Sequence, residues 1–189
     1  MVASVKPLTT LDVFPKQGEF VLSDSSHLAY IGGRGSGKTR GGAVRMIRLL
    51  CDSGQPVHAV ITAPTFPMLR GTVLRTCLEI WPPRVIAQVN KEEMRVRLIN
   101  GSEVAFRSTD DPEHLRGPNL GVFWMDEAAQ SPLAAWQILL GTLREQPGKA
   151  FITSTPRGYN WIYQEWVTKQ RLDYQLIQCA TTDNHFLTE

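Results

Sequence analysis

Short apolar runs bounded by turn residues alternate with stretches in which apolar residues return every three or four positions. This is the pattern of strands interleaved with helices. Leu28 to Ile31 read as a short buried strand, and Ala43, Val44, Ile47 and Leu50 recur at helical spacing with Arg40, Arg45 and Arg48 on another face. Asp52-Ser53-Gly54-Gln55-Pro56 stops that helix, and Val57 to Ala63 forms the next strand. Met68, Leu69, Val73, Leu74, Cys77, Leu78 and Trp81 make an apolar helical stripe that Pro82-Pro83 ends.

From Met94 to Arg107 the period changes to two, with Met94, Val96 and Leu98 on one face and Arg95 and Arg97 on the other. A hairpin follows, its Asn100-Gly101 bend expected as a type I′ turn. Asp110 to Asn119, with Pro112 and Pro118, reads as a surface loop leading into Leu120 to Met125. That strand is apolar on both sides, which places it inside a parallel sheet covered by helices on each face. Ser131-Pro132 predicts an N-cap and first position for a helix through Leu143, Gln146-Pro147-Gly148 a turn, and Ala150 to Thr153 a buried strand. Tyr159 to Lys169 reads as helix and Tyr174 to Ala180 as the last strand. Alternation of this kind implies right-handed crossovers and a ligand crevice at the carboxyl ends of the strands.

At 189 residues and 42% hydrophobic composition, the chain suits one α/β domain with a two-sided sheet. A formal net charge of +2 argues neither for nor against nucleic acid. Cys51, Cys77 and Cys179 lack C-x-x-C spacing, so reduced thiols and an intracellular compartment are expected. His27, His58, His114 and His185 lack the spacing of a zinc site. No run approaches the roughly 20 apolar residues of a membrane span, and the N-terminal stretch has no leader core.

Between the first strand and the first long helix lies GGRGSGKT, in which Gly32, Gly37, Lys38 and Thr39 fit the Walker A pattern G-x-x-x-x-G-K-[ST]. Glycines at 32, 33, 35 and 37 let backbone N–H groups converge on phosphate oxygens. Lys38 is expected to reach the β- and γ-phosphates and Thr39 to give its hydroxyl to Mg²⁺, with the helix dipole aimed at the anion. The plainer alternative is a glycine-rich turn that happens to fit. Gly41 and Gly42 are expected to bring helix and sheet close together.

Asp126-Glu127 closes the FWM strand as a Walker B pair. Asp126 serves the metal, and Glu127 orients and polarises the attacking water. An acidic helix start is the alternative. Thr153-Ser154-Thr155-Pro156 places three hydroxyls at the next strand end, where they can sense the γ-phosphate or hold water. Arg34 lies inside the phosphate loop, and Arg116, in HLRG, sits where a guanidinium can act across a subunit boundary. Both are alternatively solvated loop residues.

Taken in order, FPKQGEF, GGRGSGKT, HLRG, VFWMDEA and TSTPRG resemble the ATPase domain of the large terminase subunit, the DNA-packaging motor of tailed bacteriophages. The resemblance implies an α/β fold, a P-loop NTPase of the ASCE/RecA-like type, with a mainly parallel central sheet and helices on both faces. Its implied ATP site comprises Gln17, which reads adenine, with Gly32, Gly33, Arg34, Gly35, Ser36, Gly37, Lys38 and Thr39. Lys38 and Arg34 grip phosphate, Thr39 and Asp126 serve Mg²⁺, Glu127 activates water, and Thr153, Ser154 and Thr155 couple hydrolysis to motion. Arg116 matches an arginine offered in trans to a neighbouring subunit's ATP.

The implied partners are double-stranded DNA, the portal protein, the small terminase subunit and further copies in a ring on the procapsid, in the host cytoplasm and away from membrane. Arg70, Arg75, Arg95 and Arg97 are candidate DNA contacts, toward phosphate rather than bases. Residues 1–180 form the ATPase domain and 181–189 begin a linker to a nuclease domain outside this chain. A helicase-like or RecA-like remodelling ATPase, a small-molecule kinase and a nucleotide-dependent switch with little turnover are the alternatives.

Overall fold

The computed structural model describes residues 13–117 and 119–186. Pro118 of the expected loop, the N-terminal stretch read for a leader, and the last three residues of the 181–189 segment lie outside the described residues.

Eight strands make one sheet: β1 His27–Gly32, β2 His58–Ala63, β3 Ile86–Asn90, β4 Arg95–Leu98, β5 Glu103–Ser108, β6 Val122–Asp126, β7 Lys149–Ser154 and β8 Tyr174–Cys179. Their order is β3-β4-β5-β2-β6-β7-β1-β8. Every pairing from β5 through β8 is parallel, and β3-β4-β5 form an antiparallel wing. β7 separates β1, which feeds the phosphate loop, from β6, which carries the acidic pair. That inserted strand is the ASCE arrangement.

Helix α1 (Pro15–Leu22), helix α2 (Lys38–Asp52) and the helical stretch through Phe66–Met68, Leu69–Leu74 and Arg75–Ile80 supply one apolar layer. The helix Leu133–Thr142 and the turns at Trp161–Tyr163 and Gln164–Thr168 supply the other. Period-two alternation divides β6 between them: Val122 and Trp124 join the first core, Phe123 and Met125 the second. All five residues of β6 are buried, as its continuous apolar run requires.

Several local expectations change. The hairpin bend is not type I′, because only Gly101 has positive φ (87°) and the Gly101 N–H closes on the Leu98 carbonyl at 3.0 Å. Leu98 N–H then meets the Ser102 carbonyl, which makes Ile99-Asn100-Gly101 a three-residue loop with a left-handed third residue. Asn100 spends its side chain on the Leu50 carbonyl and the Ser102 N–H instead.

Ser131 is not the cap of the next helix. Pro132 holds that position, while the buried Ser131 hydroxyl bonds Thr109 at 2.7 Å. β3 escaped the sequence reading, since an edge strand with three exposed residues lacks an apolar face to announce it. The segments Leu69–Leu74 and Gln164–Thr168 are π-helical rather than regular α-helix.

Gly42 and Gly41 face different partners. A Cβ on Gly42 would stand 2.1 Å from Trp124 Cζ2, so this glycine does bring helix and sheet together. Gly41 instead packs on Gln17 and Phe20 of α1.

Arg45 fastens α1 from the other end. Its fully buried guanidinium donates to the carbonyls of Phe20 and Ser23 at 2.8 Å and of Val21 at 3.3 Å, and lies over the Phe20 and Phe151 rings. Arg48 adds a bond to Val21 at 2.7 Å. Cations here satisfy carbonyls that the helix end leaves without partners.

Candidate active site

Backbone geometry shapes the loop first. Gly35 (φ 80°) and Gly37 (φ 69°) take the left-handed region, which carries a cost of about 1–2 kcal/mol for residues with a Cβ. The loop is braced from within: Ser36 Oγ donates to the Gly33 carbonyl at 2.8 Å, and Lys38 Nζ reaches the same carbonyl at 2.8 Å. Tyr30 on β1 donates to the Ser36 carbonyl at 3.4 Å.

The start of α2 and the ends of β6 and β7 bring the remaining groups together. Thr39 Oγ1 lies 3.0 Å from Asp126 Oδ2, and Thr153 Oγ1 donates to Asp126 Oδ1 at 2.6 Å. The Trp124 indole N–H donates to that same Thr153 oxygen at 2.7 Å. Thr153 therefore has its acceptor side occupied by Trp124 and its single hydrogen directed at the carboxylate. Burial pushes the Asp126 carboxyl up to about 6, with the nearby Glu127 adding to the rise and the Thr153 and Thr39 hydrogen bonds opposing it.

Glu127 sits just beyond the strand in a left-handed conformation (φ 48°). Its carboxylate lies 3.9 Å from Lys38 Nζ. Thr155 donates to it twice, from Oγ1 at 3.2 Å and from its backbone N–H at 3.4 Å. Ser154 Oγ accepts from the Ala129 N–H at 2.9 Å and so holds the turn after Glu127. The three hydroxyls thus have separate tasks: Thr153 on Asp126, Ser154 on the following turn, Thr155 on Glu127.

Gln17 arrives from α1. Its Nε2 donates to the Gly37 carbonyl at 2.9 Å, while the buried Oε1 has no partner among the described residues. Phe14, Gln17, Gly37, Arg40, Asn184 and Phe186 line a recess beside the loop.

Two expected arginines are not part of this cluster. Arg34 is exposed and makes no ion pair among the described residues. Arg116 is also exposed, bonded to Glu113 at 2.5 Å and remote from Lys38, Asp126 and Glu127 in its contacts. The candidate DNA contacts differ as well: Arg75 is held by Glu79 at 2.7 Å, Arg95 and Arg97 share Glu103, and Arg70 is exposed.

Trp124, Phe14, Asn184 and Phe186 were not singled out from sequence. An indole in an apolar strand carries no sign of its polar partner, and the last two lie in a stretch that reads as a linker.

The oxygen donors suit a small divalent cation. Thr39 and Asp126 present a hydroxyl and a buried carboxylate side by side, which is hard-ligand chemistry of the magnesium type.

Fold and site together define a P-loop NTPase with the extra strand between its two Walker strands. The family model described as phage terminase large subunit matches residues 25–189, and the chain belongs to that family. The terminase large subunit of Thermus virus P23-45 is 30% identical over 154 residues, which cover 70% of this chain and 31% of that protein. The PBSX phage terminase large subunit of Bacillus subtilis is 22% identical over 169 residues, covering 85% and 38%. This chain therefore spans about a third of the length of these relatives.

Among solved structures, the large terminase of a thermophilic bacteriophage matches with a TM-score of 0.85 at 15% identity, over 95% of this chain and 48% of that one. That bacteriophage protein is also known in complex with ADP and with ATP-gamma-S. The large terminase ATPase domain of Thermus phage P74-26 matches with a TM-score of 0.72 at 25% identity, over 89% and 81%. Those shares align this chain with the ATPase domain of the family.

Proposed function

We propose that this chain hydrolyses ATP with magnesium and that hydrolysis drives double-stranded viral DNA into a procapsid. The observation that carries the reading is the convergence of Lys38 and Thr39 at the start of α2 with Asp126 and Glu127 at the end of β6, with Glu127 held by Thr155. Lys38 and the loop amides bind the β- and γ-phosphates. Thr39 and Asp126 would hold magnesium, which when bound neutralises charge on the phosphates. Glu127 accepts a proton from the attacking water, and Thr155 fixes the direction in which its carboxylate points. Gln17 reads the base, and Arg34 is close enough in sequence to swing onto phosphate.

The exposed position of Arg116 supports a role on a neighbouring subunit's ATP in a ring, since its own contacts lead away from Lys38 and Glu127. In that arrangement turnover per subunit rises with protein concentration for the wild type and stays flat for Arg116→Ala. Equal concentration dependence in both proteins counts against the trans role. DNA, portal protein and small terminase subunit are the proposed partners, with a host-cytoplasmic site of action. Among the described residues no helix is long and apolar enough to cross a membrane.

Phosphate release by the purified chain tests the hydrolytic reading. Glu127→Gln should retain ATP binding and lose at least about 100-fold in turnover, the low end for removal of a general base. Turnover by the variant at the wild-type rate would remove Glu127 from the mechanism. ATP binding without measurable turnover by a concentrated wild type would favour a switch.

A further inference from the structure

The residues after β8 fold back onto the phosphate loop as a strap. Thr181 Oγ1 donates to the Arg34 carbonyl at 3.0 Å, and Asn184 Nδ2 to the next carbonyl, Gly35, at 2.6 Å. The loop is shaped to receive it, because a Cβ on Gly33 would stand 2.4 Å from Thr181 Oγ1. The strap is also fixed internally. Asp183 accepts from the Ala180 N–H at 2.8 Å, Phe186 N–H donates to Asn184 Oδ1 at 3.2 Å, and His185 meets Phe14 edge-on.

This path sets Asn184 and Phe186 against the recess formed by Phe14, Gln17, Gly37 and Arg40. Phe186 is 55% exposed, so its ring contributes little to either apolar core. Gln17, which also lines this recess, has a buried side-chain oxygen that lacks a donor among the described residues. A buried acceptor without a partner is unfavourable by about 1–3 kcal/mol and is relieved by any N–H that reaches it. An exposed aromatic ring, a guanidinium and an unmatched acceptor beside the first turn of α2 suit a flat heteroaromatic ring bearing an amino group.

We propose that the strap Thr181–Phe186 is part of the nucleotide site, with Phe186 packing on the base and Asn184 holding the loop through Gly35. The proposal rests on the nucleotide reading above and adds that base affinity depends on residues beyond the last strand. Ordering of the strap and binding of the base then favour each other by the same free energy.

Calorimetric titration of the full 189-residue chain in magnesium buffer, with ATP and with tripolyphosphate as a base-free probe, separates the contributions. Phe186→Ala should weaken ATP about tenfold, within the range for a base stacked on an aromatic side chain. It should leave tripolyphosphate unchanged, and Phe186→Tyr should restore ATP affinity. Asn184→Ala should weaken both ligands, because it acts through the loop. An ATP affinity of Phe186→Ala within twofold of wild type overturns the strap's role, as does an equal loss for both ligands. A wild type that binds neither ligand overturns the nucleotide reading itself, and the strap with it.

Discussion

Thr155 donates to the Glu127 carboxylate from both its hydroxyl, at 3.2 Å, and its backbone N–H, at 3.4 Å. The hydroxyl can be removed without changing the backbone. Thr155→Val keeps the shape and loses one orienting bond of about 1–1.5 kcal/mol, so kcat should fall about tenfold with ATP affinity unchanged. Thr155→Ser should recover most of the rate. Wild-type kcat in Thr155→Val, measured by phosphate release at saturating ATP, would show that the backbone bond alone orients Glu127.

Asp126 gives the chain an unusual dependence on pH. Its carboxyl is raised from 3.8 to about 6, so the folded chain holds this proton more tightly than the unfolded chain does. The associated stability is fully present below about pH 4 and is lost as pH rises through about 6. Ionisation at neutral pH therefore destabilises the metal-free fold by roughly 2–3 kcal/mol. Asp126→Asn cannot ionise. Without magnesium or nucleotide it should melt above wild type at pH 7.5, with the gap closing toward pH 4.5. A gap that is the same at both values would mean that the carboxyl is not raised.

Gly42 and Trp124 are matched in volume. Gly42→Ala gains about 1 kcal/mol of helix propensity, yet its Cβ meets the indole at 2.1 Å. Trp124 is fully buried and stacked on Phe151, so it has little freedom to retreat. Chemical denaturation should register a net loss of about 2 kcal/mol or more. Introducing Gly42→Ala into a Trp124→Phe background should be less harmful, and strict additivity of the two changes would refute the steric account.

How much of this was legible in advance follows from where each signal resides. Periodicity and turn residues located seven of the eight strands, because burial on one or both faces is written into apolar spacing. The edge strand Ile86–Asn90 is mostly exposed and leaves no such trace. At the site, the loop glycines, Lys38, Thr39 and Asp126-Glu127 read together as a phosphate and water site because that chemistry calls for those residue types, whereas Arg34 of the same loop lies exposed. The division of labour among Thr153, Ser154 and Thr155 was not. It depends on which oxygen each hydroxyl meets, and Trp124 settles that for Thr153 from two residues before the acidic pair. Ser131 reads as a cap because Ser-Pro is a common helix start, whereas in the fold a buried Thr109 hydroxyl holds the serine.

On the hydrolytic reading proposed above, the left-handed backbone at Glu127 sets scaffold against catalyst at a single residue. Glycine would occupy φ 48° without the roughly 1–2 kcal/mol penalty that a Cβ incurs there. Selection for a firmer fold alone would drive this position toward glycine or asparagine. If Glu127 activates water as proposed, a glutamate there is maintained only while turnover matters, and a lineage that kept the domain as an inert shell would be expected to lose this carboxylate early.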